Sequence, residues 1–141
     1  MGEITRSLRI TTNWGMIRLN ALIDSGTQEN FIRLDIIEKM ILKGKMTRHA
    51  YEKYGGRERF IGQEGEFEFP DHTKKLGYLM SIRIHWENRF IDTKVIASED
   101  IGEQLVLEQP FLQDNHVIIN FKNDTFTLDK YAPKYHRVPK F

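Results

Sequence analysis

Apolar and polar residues alternate at period two over residues 16–24. Ile17, Leu19, Ala21 and Ile23 face one way, with Arg18 and Asn20 between them, the signature of a half-buried strand. A shorter run, Leu8-Arg9-Ile10-Thr11-Thr12, precedes it, and Asn13-Trp14-Gly15 reads as the hairpin turn joining the two. The clearest alternation is over residues 78–86, where Tyr78, Met80, Ile82, Ile84 and Trp86 interleave with Ser81, Arg83 and His85. Glu87-Asn88 then turns the chain into a partner strand over 89–97.

The spacing of Ile36, Ile37, Met40 and Ile41 predicts a helix over 35–43, with Asp35 as N-cap and Gly44 as stop. Residues 45–75 are charged and irregular. Leu105-Val106-Leu107 is a short apolar run, and Pro110 opens a helical turn with Phe111 and Leu112. Residues 117–121 and 125–128 form a last hairpin around Lys122-Asn123-Asp124. The expected architecture is all-β, a small closed barrel with one or two short helices over residues 1–128. Residues 129–141, with two prolines and several basic residues, read as an arm or linker.

Composition narrows the chemistry. At 141 residues one core is expected. The formal net charge is +1, with acids and bases interspersed, which argues against a protein built mainly to bind nucleic acid. With no cysteine, thiol catalysis, thiolate metal sites and disulfides are excluded. The start, MGEITRSLRI, lacks the apolar core of a secretory signal, and Arg6 breaks a myristoylation motif. No run approaches the roughly 18–20 apolar residues of a membrane span. A soluble, cytoplasmic protein is expected. The five histidines show no metal-ligand spacing, no Gly-x-Ser-x-Gly elbow exists, and no glycine-rich phosphate loop precedes a helix. Trp14 and Trp86 read as core or interface fillers.

The candidate chemistry lies at the end of the second strand, in Ala21-Leu22-Ile23-Asp24-Ser25-Gly26-Thr27. An apolar strand delivers an acid to its end, and a turn of small hydroxylated residues follows. Gly26 would let backbone approach the carboxylate, and Ser25 and Thr27 could orient it. Alone, Asp-Ser-Gly is equally the composition of an ordinary turn.

The longer segment Ala-Leu-Ile-Asp-Ser-Gly-Thr-Gln-Glu-Asn-Phe-Ile, residues 21–32, resembles the active-site segment of retropepsin-like aspartic proteases, especially those of gypsy-type LTR retrotransposons. A second stretch, LVLEQPFLQDNHVIINF over 105–121, is similar to that family's second motif, and the resemblance spans roughly residues 8–128. It implies a retropepsin-type barrel and a homodimer in which each copy supplies Asp24, since the chain holds one such motif. It also implies peptide-bond hydrolysis by water, a polyprotein substrate including the chain's own precursor, and no metal or cofactor. The family covers its substrate with a glycine-tipped hairpin, the flap. Here Gly62, Gln63, Glu64 and Gly65, within 59–67, are the candidate, and Gly55-Gly56 the competitor. One residue departs from the pattern. Glu108 stands at the second motif's glycine, so its side chain has to point outward or bend the backbone.

Two readings from other classes stay open. A non-catalytic dimeric binding or assembly module of the same fold is favoured by Glu108 and opposed by the intact Asp24 segment. A small nucleic-acid-binding barrel using the arm (Lys130, Lys134, Arg137, Lys140) is opposed by the near-zero charge.

Overall fold

Each strand of the barrel carries one apolar face, and that face is what closes the sheet. The computed structural model describes residues 3–24, 29–44, 46–69, 71–108, 117–120 and 125–128. Strands β1 (Glu3–Thr12) and β2 (Gly15–Asp24) form a hairpin in register from Glu3 opposite Asp24 to Thr12 opposite Gly15. After β3 (Phe31–Arg33) come helices α1 (Leu34–Leu42), α2 (Arg48–Lys53) and α3 (Gly56–Phe60). They lead to β4 (Gln63–Glu68), β5 (Lys74–Trp86), β6 (Arg89–Ser98) and β7 (Leu105–Glu108). A separate hairpin, β8 (Val117–Asn120) with β9 (Thr125–Leu128), ends the described chain.

The main sheet runs β1-β2-β7-β3-β6-β5-β4, and β1 also pairs with β5, so six strands form a closed barrel with β4 added outside. Leu8, Ile10, Leu19, Ala21, Ile23, Ile82, Ile84, Leu105 and Leu107 fill it, with Trp86 fully buried among them. Closure leaves the six barrel strands without a free edge, whereas β4, paired with β5 alone, forms an edge of the sheet. Among the described residues no helix is long and apolar enough to cross a membrane.

Several expectations need correction. Among the described residues there are three short helices, against the one or two expected, and two of them occupy ground read as irregular. Asp35 is not the N-cap of α1. That position is Arg33, which makes no side-chain cap, and Asp35 lies in the first turn, where it accepts from Arg33 Nε at 2.8 Å. The first strand begins at Glu3 rather than Leu8, and β5 begins at Lys74 rather than Tyr78. The proposed helical turn at Pro110 and the arm 129–141 lie outside the described residues.

The helices are tied to the barrel by polar contacts. Trp14, in the β1–β2 turn, donates Nε1–H to the Phe60 carbonyl at 3.0 Å and packs edge-on against the Phe60 ring. Arg57 of α3 donates to Glu38 of α1 at 3.0 Å and to Glu99 at 3.1 Å, and Tyr51 of α2 donates to Glu38 at 2.8 Å. Burial pushes the Glu38 carboxyl up. The hydrogen bonds from Arg57 and Tyr51 outweigh that and hold it below the usual range.

A depressed folded-state pKa means the contribution is present above the unfolded value, 4.5, and is lost as pH falls through the folded one. Urea unfolding of Glu38→Gln between pH 6 and 3 is therefore expected to fall less steeply below pH 4.5 than the parent. Parallel curves would show that the network carries no acid sensitivity.

Candidate active site

Strand β2 sets the site. Leu19, Ala21 and Ile23 point into the barrel, so Asn20 and Leu22 belong to the other side of the strand. Leu22 packs there against a second apolar cluster of Phe31, Phe69, Ile96 and Val106. Asp24 is the last residue of β2, in parallel register with Glu108 of β7 and opposite Glu3 of β1. Ser25, Gly26 and Thr27 lie outside the described residues.

Where the chain re-enters the described structure, Asn30 anchors it. Its side chain is buried and makes three hydrogen bonds: Nδ2 donates to Thr93 Oγ1 at 3.3 Å and to the Lys94 carbonyl at 3.2 Å, and Oδ1 accepts from the Glu108 amide at 2.9 Å. Its own carbonyl accepts from the Ile96 amide at 2.9 Å. One carboxamide thus joins the segment leaving Asp24 to both β6 and β7.

Glu108 itself corrects an expectation. It lies on the face of β7 opposite the barrel-filling Leu105 and Leu107, yet it is 6 % exposed rather than in solvent, and it stays in the parallel ladder without bending the strand. Its backbone amide is held by Asn30 Oδ1.

Asn30→Ala removes all three side-chain bonds and leaves the buried Glu108 N–H without its acceptor. A loss of about 2–4 kcal/mol in unfolding free energy is expected. A loss below about 0.5 kcal/mol would show that the lacing is not structural.

The hairpin that reaches this face is not the one the glycines suggested. Gly62, Gln63, Glu64 and Gly65 are not at a hairpin tip. Gln63 pairs with Leu79, Glu64 with Tyr78 and Gly65 with Gly77, inside the β4–β5 ladder. Gly62 lies at its start, where an added Cβ would fall on the Leu79 carbonyl oxygen. Gly55-Gly56 joins α2 to α3. The reversal occurs between Phe69 and Thr73: the Phe69 amide donates to the Thr73 carbonyl at 2.9 Å, and Asp71 Oδ1 accepts from the Thr73 amide at 3.0 Å and hydroxyl at 2.6 Å. Those Thr73 bonds hold the Asp71 carboxyl below its ordinary range. Phe69, at the base of the turn, is buried and lies 4.7 Å from the Phe31 ring, so the turn end of β4–β5 is docked on the cluster beside Leu22.

Asn30 and Phe69 are the site-shaping residues whose roles the sequence did not disclose. Asn30 stands within the Asn-Phe-Ile of the family pattern without a stated role, and Phe69 lies in the stretch 45–75 that reads as irregular. Among the described residues no group of three or more His, Asp or Glu is placed to hold a metal ion.

The chain has a retroviral protease-like fold. It is similar to the crystal structure of the retroviral protease-like domain of Ddi1 from Leishmania major, with a TM-score of 0.54 and 15% identity over 92% of this chain and 90% of that one. It also matches the solution structure of the Simian Foamy Virus (mac) protease, with a TM-score of 0.44 and 14% identity over 77% of this chain and 92% of that one. No family model and no curated protein matches the chain.

Proposed function

We propose that this chain is an aspartic endopeptidase that works as a homodimer, with one Asp24 from each copy forming the catalytic pair. The observation that carries the reading is the place of Asp24: the end of a barrel strand in a retroviral protease-like fold, at the head of Asp-Ser-Gly-Thr. One motif per chain supplies one carboxylate, and two-carboxylate chemistry then requires a symmetric pair of chains.

In this mechanism one carboxylate is ionised and takes a proton from water as the water oxygen bonds to the peptide carbonyl carbon. The other is protonated and gives its proton to the carbonyl oxygen. Collapse of the tetrahedral diol breaks the C–N bond as a proton passes to the leaving nitrogen. Ser25, Gly26 and Thr27 are assigned to the loop that orients the acid. The substrate cover is assigned to the β4–β5 hairpin with its reversal at 69–73, in place of the Gly62–Gly65 segment. A polyprotein including the chain's own precursor is the proposed substrate.

The second reading, a non-catalytic dimeric assembly module, is favoured by the buried Glu108 in register with Asp24. A peptide library incubated at acid pH with and without pepstatin separates the two. Pepstatin-sensitive cleavage is expected. No cleavage by a chain that sediments as a dimer would establish the module instead.

A further inference from the structure

Four strands place Arg18, Arg9, His85 and Phe90 in one row on the outside of the barrel. Arg18 of β2 is the cross-strand partner of Arg9 of β1, Arg9 of His85 in β5, and His85 of Phe90 in β6. With strands about 4.8 Å apart the row is about 14 Å long. Like charges directly opposite one another are destabilising, yet no carboxylate among the described residues lies within 4 Å of Arg9 or Arg18. Arg83, one step along the same face, is by contrast held by Asp92 through bonds of 2.6 and 3.0 Å.

The basic end of the row opens into a shallow cleft of about 330 Å³ lined by Arg6, Ser7, Arg9, Arg18, His85 and Glu87. His85 is fixed in orientation by a 2.8 Å hydrogen bond between its Nε2 and Thr11 Oγ1. At the far end Phe90 is 67 % exposed, its ring edge-on to His85 at 4.8 Å. The Arg83 guanidinium lies over one side of the Phe90 ring, 5.7 Å from its centroid, and the rest of the ring is open to solvent.

We propose that this row is a binding track for single-stranded nucleic acid, with backbone phosphates on Arg18 and Arg9 and a base stacked on Phe90. Guanidinium groups are suited to phosphate through their fork of donors. A positively charged groove next to an open aromatic ring is the combination that holds single strands without sequence preference. The near-zero net charge does not oppose it, because a net charge is blind to four residues that the fold gathers from distant parts of the chain. The track lies outside the barrel and does not depend on the protease reading.

The test is fluorescence anisotropy of a labelled oligothymidylate of about 12 nucleotides against the full chain in a low-salt titration. Saturable binding is expected, with a dissociation constant in the micromolar range at about 50 mM salt. Arg9→Gln/Arg18→Gln should weaken it about tenfold or more and reduce the salt slope by about 1 to 1.5. Phe90→Ala should weaken it about fivefold with the slope unchanged. Glu87→Gln, which removes a carboxylate that lines the cleft, should tighten it about twofold. Circular dichroism checks the folds, and Arg9→Gln alone stands in if the double variant unfolds. The proposal falls if no saturable binding occurs. It falls equally if the arginine variants bind like the parent, which would move binding to the basic arm. It also falls if polyglutamate competes as well as the oligonucleotide while Phe90→Ala is silent, which would make the row a surface for acidic protein.

Discussion

Asp24→Asn is expected to abolish peptide hydrolysis, by about 10³-fold or more in kcat/KM, while the barrel and the dimer persist. The amide nearly matches the carboxylate in size and still fits the end of β2. It cannot take a proton from water, and in a homodimer one substitution removes both members of the pair. The ladder β2 makes with β1 and β7 is formed by backbone groups, which the change leaves untouched. The measurement pairs a cleavage assay with sedimentation and thermal unfolding of the same preparation. Retained activity within tenfold of the parent would remove Asp24 from the chemistry. Loss of the fold would remove the variant as a test, and Asp24→Ala would take its place.

Gly62→Ala should damage the architecture although it adds a single methyl group. A Cβ at position 62 would overlap the Leu79 carbonyl oxygen and lie 2.7 Å from the carbonyl carbon. Both are backbone atoms of a strand paired on both sides, so no side chain can turn away to make room. Either β4 parts from β5 at its first pair or the α3 end shifts. A loss of about 3 kcal/mol is expected, with faster amide exchange in β4 than in the barrel strands. Gly102→Ala is the control, because nothing lies within 4 Å of its Cβ position; it should cost under about 0.5 kcal/mol. Equal stability of the two variants would mean that the close approach at Gly62 relaxes freely.

The two long alternations were legible because a barrel strand has one buried side, which imposes period two. The start of β1 was not, since Arg6 stands on the apolar face between the buried Ile4 and Leu8 and breaks the pattern, while the backbone still pairs as far as Asp24. Helices α2 and α3, of six and five residues, are too short to show a period, and only Tyr51 is buried in the pair. A local signal did exist for α2: the Thr47 hydroxyl accepts from the Ala50 amide as an N-cap.

Glycine content pointed to 62–65 for the hairpin tip, but at Gly62 the missing side chain serves a close approach rather than a turn. The site divides in the same way. Asp24 at a strand end was readable from its neighbours in sequence. Its register with Glu108, 84 positions away, comes from parallel pairing, which leaves no local trace.

Gly65 and Gly77 face one another across β4–β5, and this has a mechanical consequence. A ladder rung without side chains is the softest point of a hairpin, and here it bears on a fixed body, because a Cβ on Gly77 would run into the Ile96 side chain. The hairpin is thus a lever with Ile96 as its fulcrum. The short arm is clamped where Gly62 meets Leu79, and the long arm is latched by the Phe69–Phe31 ring contact. Force applied at the turn is borne by that latch together with Phe67, which packs on the same cluster, and the bond from Ser98 Oγ to the Leu76 carbonyl, because the outer part of β5, before Tyr78, makes no ladder pairs with β6.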